Sequence, residues 1–146
     1  MEIQNSEGQL VLFAVDGENY GIRVSQVAEI IRMVEIDSLP GSPPWMTGVV
    51  NLRGAIIPIV DLRLRLGHDH TPIDLTTPII ITRGDSQNKI GLLVDLVADM
   101  DSFNSSEMDS SGKTGDLDGL AKIDGTIYRI LRLEHIVEEA QRVLHA

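Results

Sequence analysis

The chain has 146 residues, no cysteine and a formal net charge of −10. These values exclude a disulfide framework, a thiolate nucleophile and a cysteine-ligated metal, and they argue against nucleic acid or an anionic membrane as partner. With 42% apolar but only 3% aromatic residues, the composition is that of a globular chain with an aliphatic core, and no apolar run is long enough for a membrane-spanning helix.

Residues 1–8 are polar and acidic, unlike a signal peptide, and read as a flexible tail. Gln9 to Val15 is a predicted strand, and Asp16-Gly17 signals a hairpin into a second strand, Asn19 to Val24. Ser25 is a candidate cap for a helical turn over SQVAEII, with Val27, Ile30 and Ile31 at inward spacing, followed by a strand over residues 31–36. The proline-rich corner Leu39 to Trp45 holds the only tryptophan. Strands over residues 49–52 and 55–60 flank Arg53-Gly54, which reads as a turn or bulge, and Asp61 to Leu66 reads as a helical turn.

Residues 67–72 form a predicted linker. Strands over 78–83 and 89–94 follow, and 97–101 extends the sheet. The polar stretch 102–118 reads as a loop, and a strand over 126–132 leads into a terminal amphipathic helix. There Leu133, Ile136, Val137, Ala140 and Leu144 share one face opposite Glu138, Glu139 and Arg142. Short strands with frequent glycine turns indicate an all-β architecture of two small packed barrels.

The sequence also repeats internally. Gly48-Val49-Val50-Asn51-Leu52-Arg53-Gly54 lies over Gly119-Leu120-Ala121-Lys122-Ile123-Asp124-Gly125, and Gly21 to Ile30 lies over Gly91 to Met100. Two blocks with nearly one offset indicate a duplicated β unit, and a unit of this size buries too little surface alone, so the halves share a core. Glycines and apolar positions survive in both copies and serve the fold. Asn51 and Arg53 become Lys122 and Asp124, so the fold as such does not require them.

His68 and His70 with Asp69 could ligate a metal or centre a small ligand-dependent enzyme, but they sit in a polar linker. Asp95 and Asp99 could form an acid–base pair, but they overlie Ser25 and Glu29 and read as structural. No phosphate loop, nucleophile elbow or zinc-protease motif is present. Arg63 and Arg65 read as solubilising groups on a surface turn. Arg53, with Glu29 as candidate partner, reads as an interface anchor beside Val27, Val49 and Leu52.

Tyr20–Ile31 (YGIRVSQVAEII), Gly48–Arg63 (GVVNLRGAIIPIVDLR), Ile90–Met100 and Leu120–Leu131, in this order and spacing, resemble the CheW family of bacterial chemotaxis coupling proteins. The resemblance runs over residues 9–138, with residues 139–146 ending the terminal helix. It implies two intertwined five-stranded SH3-like β-barrels, with repeats of about 9–66 and 78–138 exchanging strands and a C-terminal helix. It also implies a cytoplasmic, non-catalytic adaptor without cofactor or metal, monomeric when free, that binds neither nucleic acid nor membrane directly. The implied partners are the cytoplasmic hairpin tip of chemoreceptors and the regulatory domain of the histidine kinase CheA. A coupling protein of a pilus-motility system would carry the same motifs. By the resemblance, Val27, Glu29, Asn51, Arg53, Gly54 and Met100 form or support the receptor- and kinase-binding surface, and Gly48, Gly91, Gly119 and Gly125 are turn glycines. Met100 replaces a commoner β-branched residue, and Arg132, opposite Asp61, replaces a common acidic one.

Overall fold

A computed structural model describes residues 8–68, 72–84, 88–102, 108–109 and 113–145, without the side chains of 99–102. Among the described residues, eleven strands and two α-helices run in the order β1 (Gln9–Val15), β2 (Glu18–Arg23), β3 (Val27–Ile31), β4 (Met46–Leu52), β5 (Ala55–Asp61), α1 (Leu62–Arg65), β6 (Ile79–Thr82), β7 (Gly91–Leu93), β8 (Leu96–Ser102), β9 (Met108–Asp109), β10 (Leu117–Ile123), β11 (Thr126–Leu131) and α2 (Leu133–Leu144). None of the described helices is long and apolar enough to cross a membrane.

The strands form two sheets, ordered β8-β1-β2-β11-β10-β9 and β3-β6-β7-β5-β4. The first two strands of each sequence repeat lie in the sheet built by the other repeat's later strands. β1 and β2 join β8 to β11, while β6 and β7 join β3 to β5. Parallel contacts of β11 with β2 and of β5 with β7 stitch the halves together. The fold is all-β, two SH3-like barrels with a C-terminal helix, and the short β9 gives one barrel a sixth strand.

Strand alternation distributes the aliphatic residues among three cores. Val50, Ile57, Ile59, Ile79, Ile81 and Leu93 fill one barrel, and Leu10, Leu12, Ala121, Ile123 and Ile130 fill the other. Between the barrels, Phe13, Ile22, Val27, Ile80, Leu92 and Leu131 pack with Ile136 and Ala140 of α2. Because side chains alternate across a strand, β6 serves two cores at once, Ile79 and Ile81 facing one and Ile80 the next. Separating the barrels would expose the largest of these cores, and hydrophobic burial holds them as one unit.

Three expectations need correction. The segment SQVAEII is not a helical turn: a single 3₁₀ turn over Val24–Gln26 gives way at Val27 to strand β3, Ser25 does not cap it, and 32–36 has no regular structure. Pairing of β3 with β6 overrides the local i, i+3, i+4 pattern. The stretch 102–118 is not all loop, because β8 runs to Ser102, Met108–Asp109 pairs with β10, and β10 begins at Leu117. Gly91 is not a turn residue. It lies buried in β7, where a Cβ would stand 2.5 Å from Ile59 Cδ1 and 2.9 Å from Ile79 Cγ2.

Candidate functional site

Among the described residues, three hairpins have two-residue loops, fixed by the pairs Val15–Glu18, Leu52–Ala55 and Ile123–Thr126. In each, both loop residues have positive φ: Asp16 and Gly17 at 51° and 74°, Arg53 and Gly54 at 51° and 87°, Asp124 and Gly125 at 50° and 81°. These are type I′ turns, which suit the twist of the strands and favour Asn, Asp or Gly at the first loop position. Two of the three obey that preference. The third carries Arg53, which has no such preference for the left-handed region.

The surrounding residues hold Arg53 in place. Asn51 Oδ1 accepts a hydrogen bond from Gly54 N at 3.0 Å and braces the turn. The guanidinium Nη2 donates to Glu29 Oε2, while the Arg53 side chain stays 66% exposed and that of Glu29 20% exposed. Glu29 owes its direction to a bulge in β3, where the register with β6 shifts between Val27 and Glu29. Two residues apart on a regular strand face the same side, but the extra residue turns Glu29 outward while Val27 faces the core. Val27 is wholly buried and so supports this face from beneath, offering a partner no atoms.

The structure therefore brings Glu29, Asn51, Arg53 and Gly54 together. Met100 pairs with Val11 across the other barrel's edge, and its side chain lies outside the described part of the structure. Gly48 and Gly119 are not turn glycines either: they sit at corresponding bulges inside β4 and β10, and a Cβ at Gly48 would run into the Asp37 carbonyl. Gly125 occupies its turn with open space around it, so its positive φ alone accounts for the glycine.

Arg63 and Arg65 are not surface solubilisers. Arg63 is 1% exposed and holds Asp61 with Nε and Nη2 at 2.9 and 3.1 Å, while Nη1 reaches Asp95 at 3.3 Å. Burial works against this guanidinium's charge, but the hydrogen bonds and charges of Asp61 and Asp95 keep its pKa above the ordinary value. Arg65 stacks 4.6 Å from the Trp45 ring centroid and donates to Asp116 and Glu139. Burial raises the Asp116 pKa, and hydrogen bonds from Arg65 and His135 more than offset it, leaving the carboxyl below its usual range. These arginines tie α1 to the bend before β8, the turn before β10 and helix α2 of the second repeat. The D-L-R-L-R spacing carried Asp61 as a local partner of Arg63, but Asp95, Asp116 and Glu139 lie far along the chain.

His68 is not a solvated linker residue. Its Nε2 lies 2.8 Å from the Tyr20 hydroxyl, with Asp16 and Glu18 at 3.4 and 3.5 Å. Asp69 and His70 lie outside the described residues, and among the described residues no group of three or more His, Asp or Glu could hold a metal ion. Asp95 is structural, accepting from Asp16 N at 2.7 Å and pairing with Arg63. The Asp99 side chain falls outside the description.

Two SH3-like barrels built from a duplicated unit, with a guanidinium held outward at a hairpin tip, define the class as an all-β double-barrel protein. The family model of the CheW-like domain matches residues 9–141, and the chain belongs to that family. It is 33% identical to "Chemotaxis protein CheW" of Bacillus subtilis over 94% of this chain and 86% of that one. It is also 30% identical to "Probable chemotaxis protein CheW" of Rhizobium etli over 95% and 93% of the respective chains. The crystal structure of the scaffolding protein TtCheW from Thermoanaerobacter tengcongensis superposes with a TM-score of 0.77 at 30% identity, covering 86% of this chain and 88% of that one. The protein is thus a chemotaxis coupling adaptor.

Proposed function

We propose that the chain is a non-catalytic cytoplasmic adaptor that joins the hairpin tip of a chemoreceptor to the regulatory domain of the histidine kinase CheA, using the face around Glu29 and Arg53. One observation carries this reading. At the same turn position where the chain twice uses aspartate, it accepts the conformational cost of arginine, and it then orients that arginine outward with a carboxylate. An exposed guanidinium with a fixed direction suits a partner anchor better than a structural tie, because surface ion pairs contribute little to stability. The relatives named above are chemotaxis proteins, which favours this pathway over pilus motility.

The test uses isotopically labelled protein titrated with a receptor hairpin fragment and, separately, with the regulatory domain of CheA from the same genome. Arg53→Glu should leave the amide spectrum folded and weaken binding of at least one partner by about 2 kcal/mol or more. Unchanged affinity for both would remove Arg53 from the interface. Absence of shifts in the wild-type protein with either partner would remove the assignment of these two partners.

A further inference from the structure

At the far end of β3 from Val27 stands the most exposed large apolar side chain among the described residues, Leu75 at 85%. Its turn is fixed. Asp74 Oδ1 accepts from Thr76 N and Oγ1 at 2.8 and 2.5 Å, Thr77 Oγ1 accepts from Asp74 N at 3.1 Å, and the Asp74 carbonyl accepts from Thr77 N at 3.2 Å. Leu75 is therefore presented to solvent on a closed loop and would lose little freedom on contact. Beside it lies a shallow hollow of about 370 Å³ lined by Ile30, Ile31, Arg32, Thr76 and Pro78. Arg32 is exposed and makes no ion pair among the described residues.

We propose that the helix of the receptor hairpin engaging Glu29 and Arg53 continues along β3 to a second contact, where an apolar side chain packs on Leu75 and in the hollow while a carboxylate meets Arg32. This rests on the adaptor reading above. β3 is an edge strand of its sheet, so no strand is hydrogen-bonded to its outer side. Arg32 follows the end of β3 three positions beyond Glu29, at most about 10 Å along an extended chain, and two turns of helix cover about 11 Å. Positions i and i+7 of one helix therefore match the spacing from the Glu29–Arg53 pair to Arg32. The intervening strand contributes the partly buried Ile30 and Ile31. Although the whole chain carries −10, this strip exposes two guanidiniums, and Glu29 is already turned toward one of them. The complementary helix is amphipathic, with carboxylates flanking its apolar stripe.

The receptor hairpin fragment and the CheA regulatory domain are titrated in parallel into wild type, Leu75→Asn, Arg32→Glu and Arg53→Glu, each checked for an unchanged amide spectrum. Leu75→Asn and Arg32→Glu should each weaken hairpin binding about fivefold or more and leave kinase binding as it was, the Arg32→Glu effect shrinking as salt is raised. If both bind the hairpin like wild type while Arg53→Glu does not, the second contact is wrong and the adaptor reading stands. If Leu75→Asn instead loses the kinase domain, the occupant is wrong. If wild type binds no hairpin, the adaptor reading fails and this extension falls with it.

Discussion

Glu29 and Arg53, 24 residues apart, join opposite edges of one sheet: Glu29 is on β3 and Arg53 is at the tip of the β4–β5 hairpin. The ion pair thus closes the five-stranded barrel from outside, where side-chain length and not backbone pairing spans the gap. Its position separates what the fold needs from what the site needs.

Replacing Arg53 should make that separation measurable. Asparagine tolerates the left-handed region, so Arg53→Asn relieves about 1 kcal/mol of turn strain while giving up an exposed ion pair of about 0–1 kcal/mol. The variant is expected to be at least as stable as wild type in urea melts, yet to have lost its partner affinity. The converse change, Asp124→Arg, should cost about 1 kcal/mol without touching that face. A large loss of stability in Arg53→Asn would make the ion pair a fold element after all.

The duplication and the contrast between Arg53 and Asp124 were legible in the sequence because glycines and aliphatic positions repeat at one offset while those two residues do not. The state of Arg63 was not legible. Alternating Leu and Arg shows only a local pattern, and the groups that make a buried guanidinium tolerable include Asp95, brought from the other repeat. Val27 and Glu29 misled for a related reason: the bulge that sends one inward and the other outward is set by the register with β6, which no local spacing reveals. Polar residues around Leu117 hid the start of β10, whose partners are long-range.

The same duplication exposes a missing cap. Asp61 accepts from Arg63 N at 3.0 Å at the start of α1, whereas Arg132, its counterpart before α2, makes no side-chain cap hydrogen bond. Arg132→Ser should supply one and raise stability by about 1 kcal/mol. Urea midpoints with an unchanged slope would register the gain, and a lower midpoint would mean that Arg132 holds the helix start in another way.

Gly91 makes a packing prediction that a turn glycine would not. Gly91→Ala should cost about 1–3 kcal/mol through overlap with Ile59 and Ile79. Ile59→Val removes the δ-methyl at 2.5 Å, so the double variant should be more stable than the sum of its single losses predicts. Simple additivity in the denaturation midpoints would place the clash elsewhere.

Tyr20 links the β1–β2 hairpin to the segment after α1, and it carries a pH signature. Burial first, then the Glu18 charge, push its phenol up to about 12 from an ordinary 10.0. A folded-state pKa above the unfolded value means that the folded chain holds its proton longer. The associated stability is therefore fully present below pH 10 and is lost as pH rises through the window from 10 to about 12. Tyr20→Phe removes the hydroxyl and its contacts with Glu18 and His68, at 3.2 and 2.8 Å, costing about 1 kcal/mol near neutrality. Above pH 10 its stability should fall less steeply than that of wild type, and the two urea midpoints should converge. Parallel decline of both proteins through that window would mean that Tyr20 ionises no later in the folded chain than in the unfolded one.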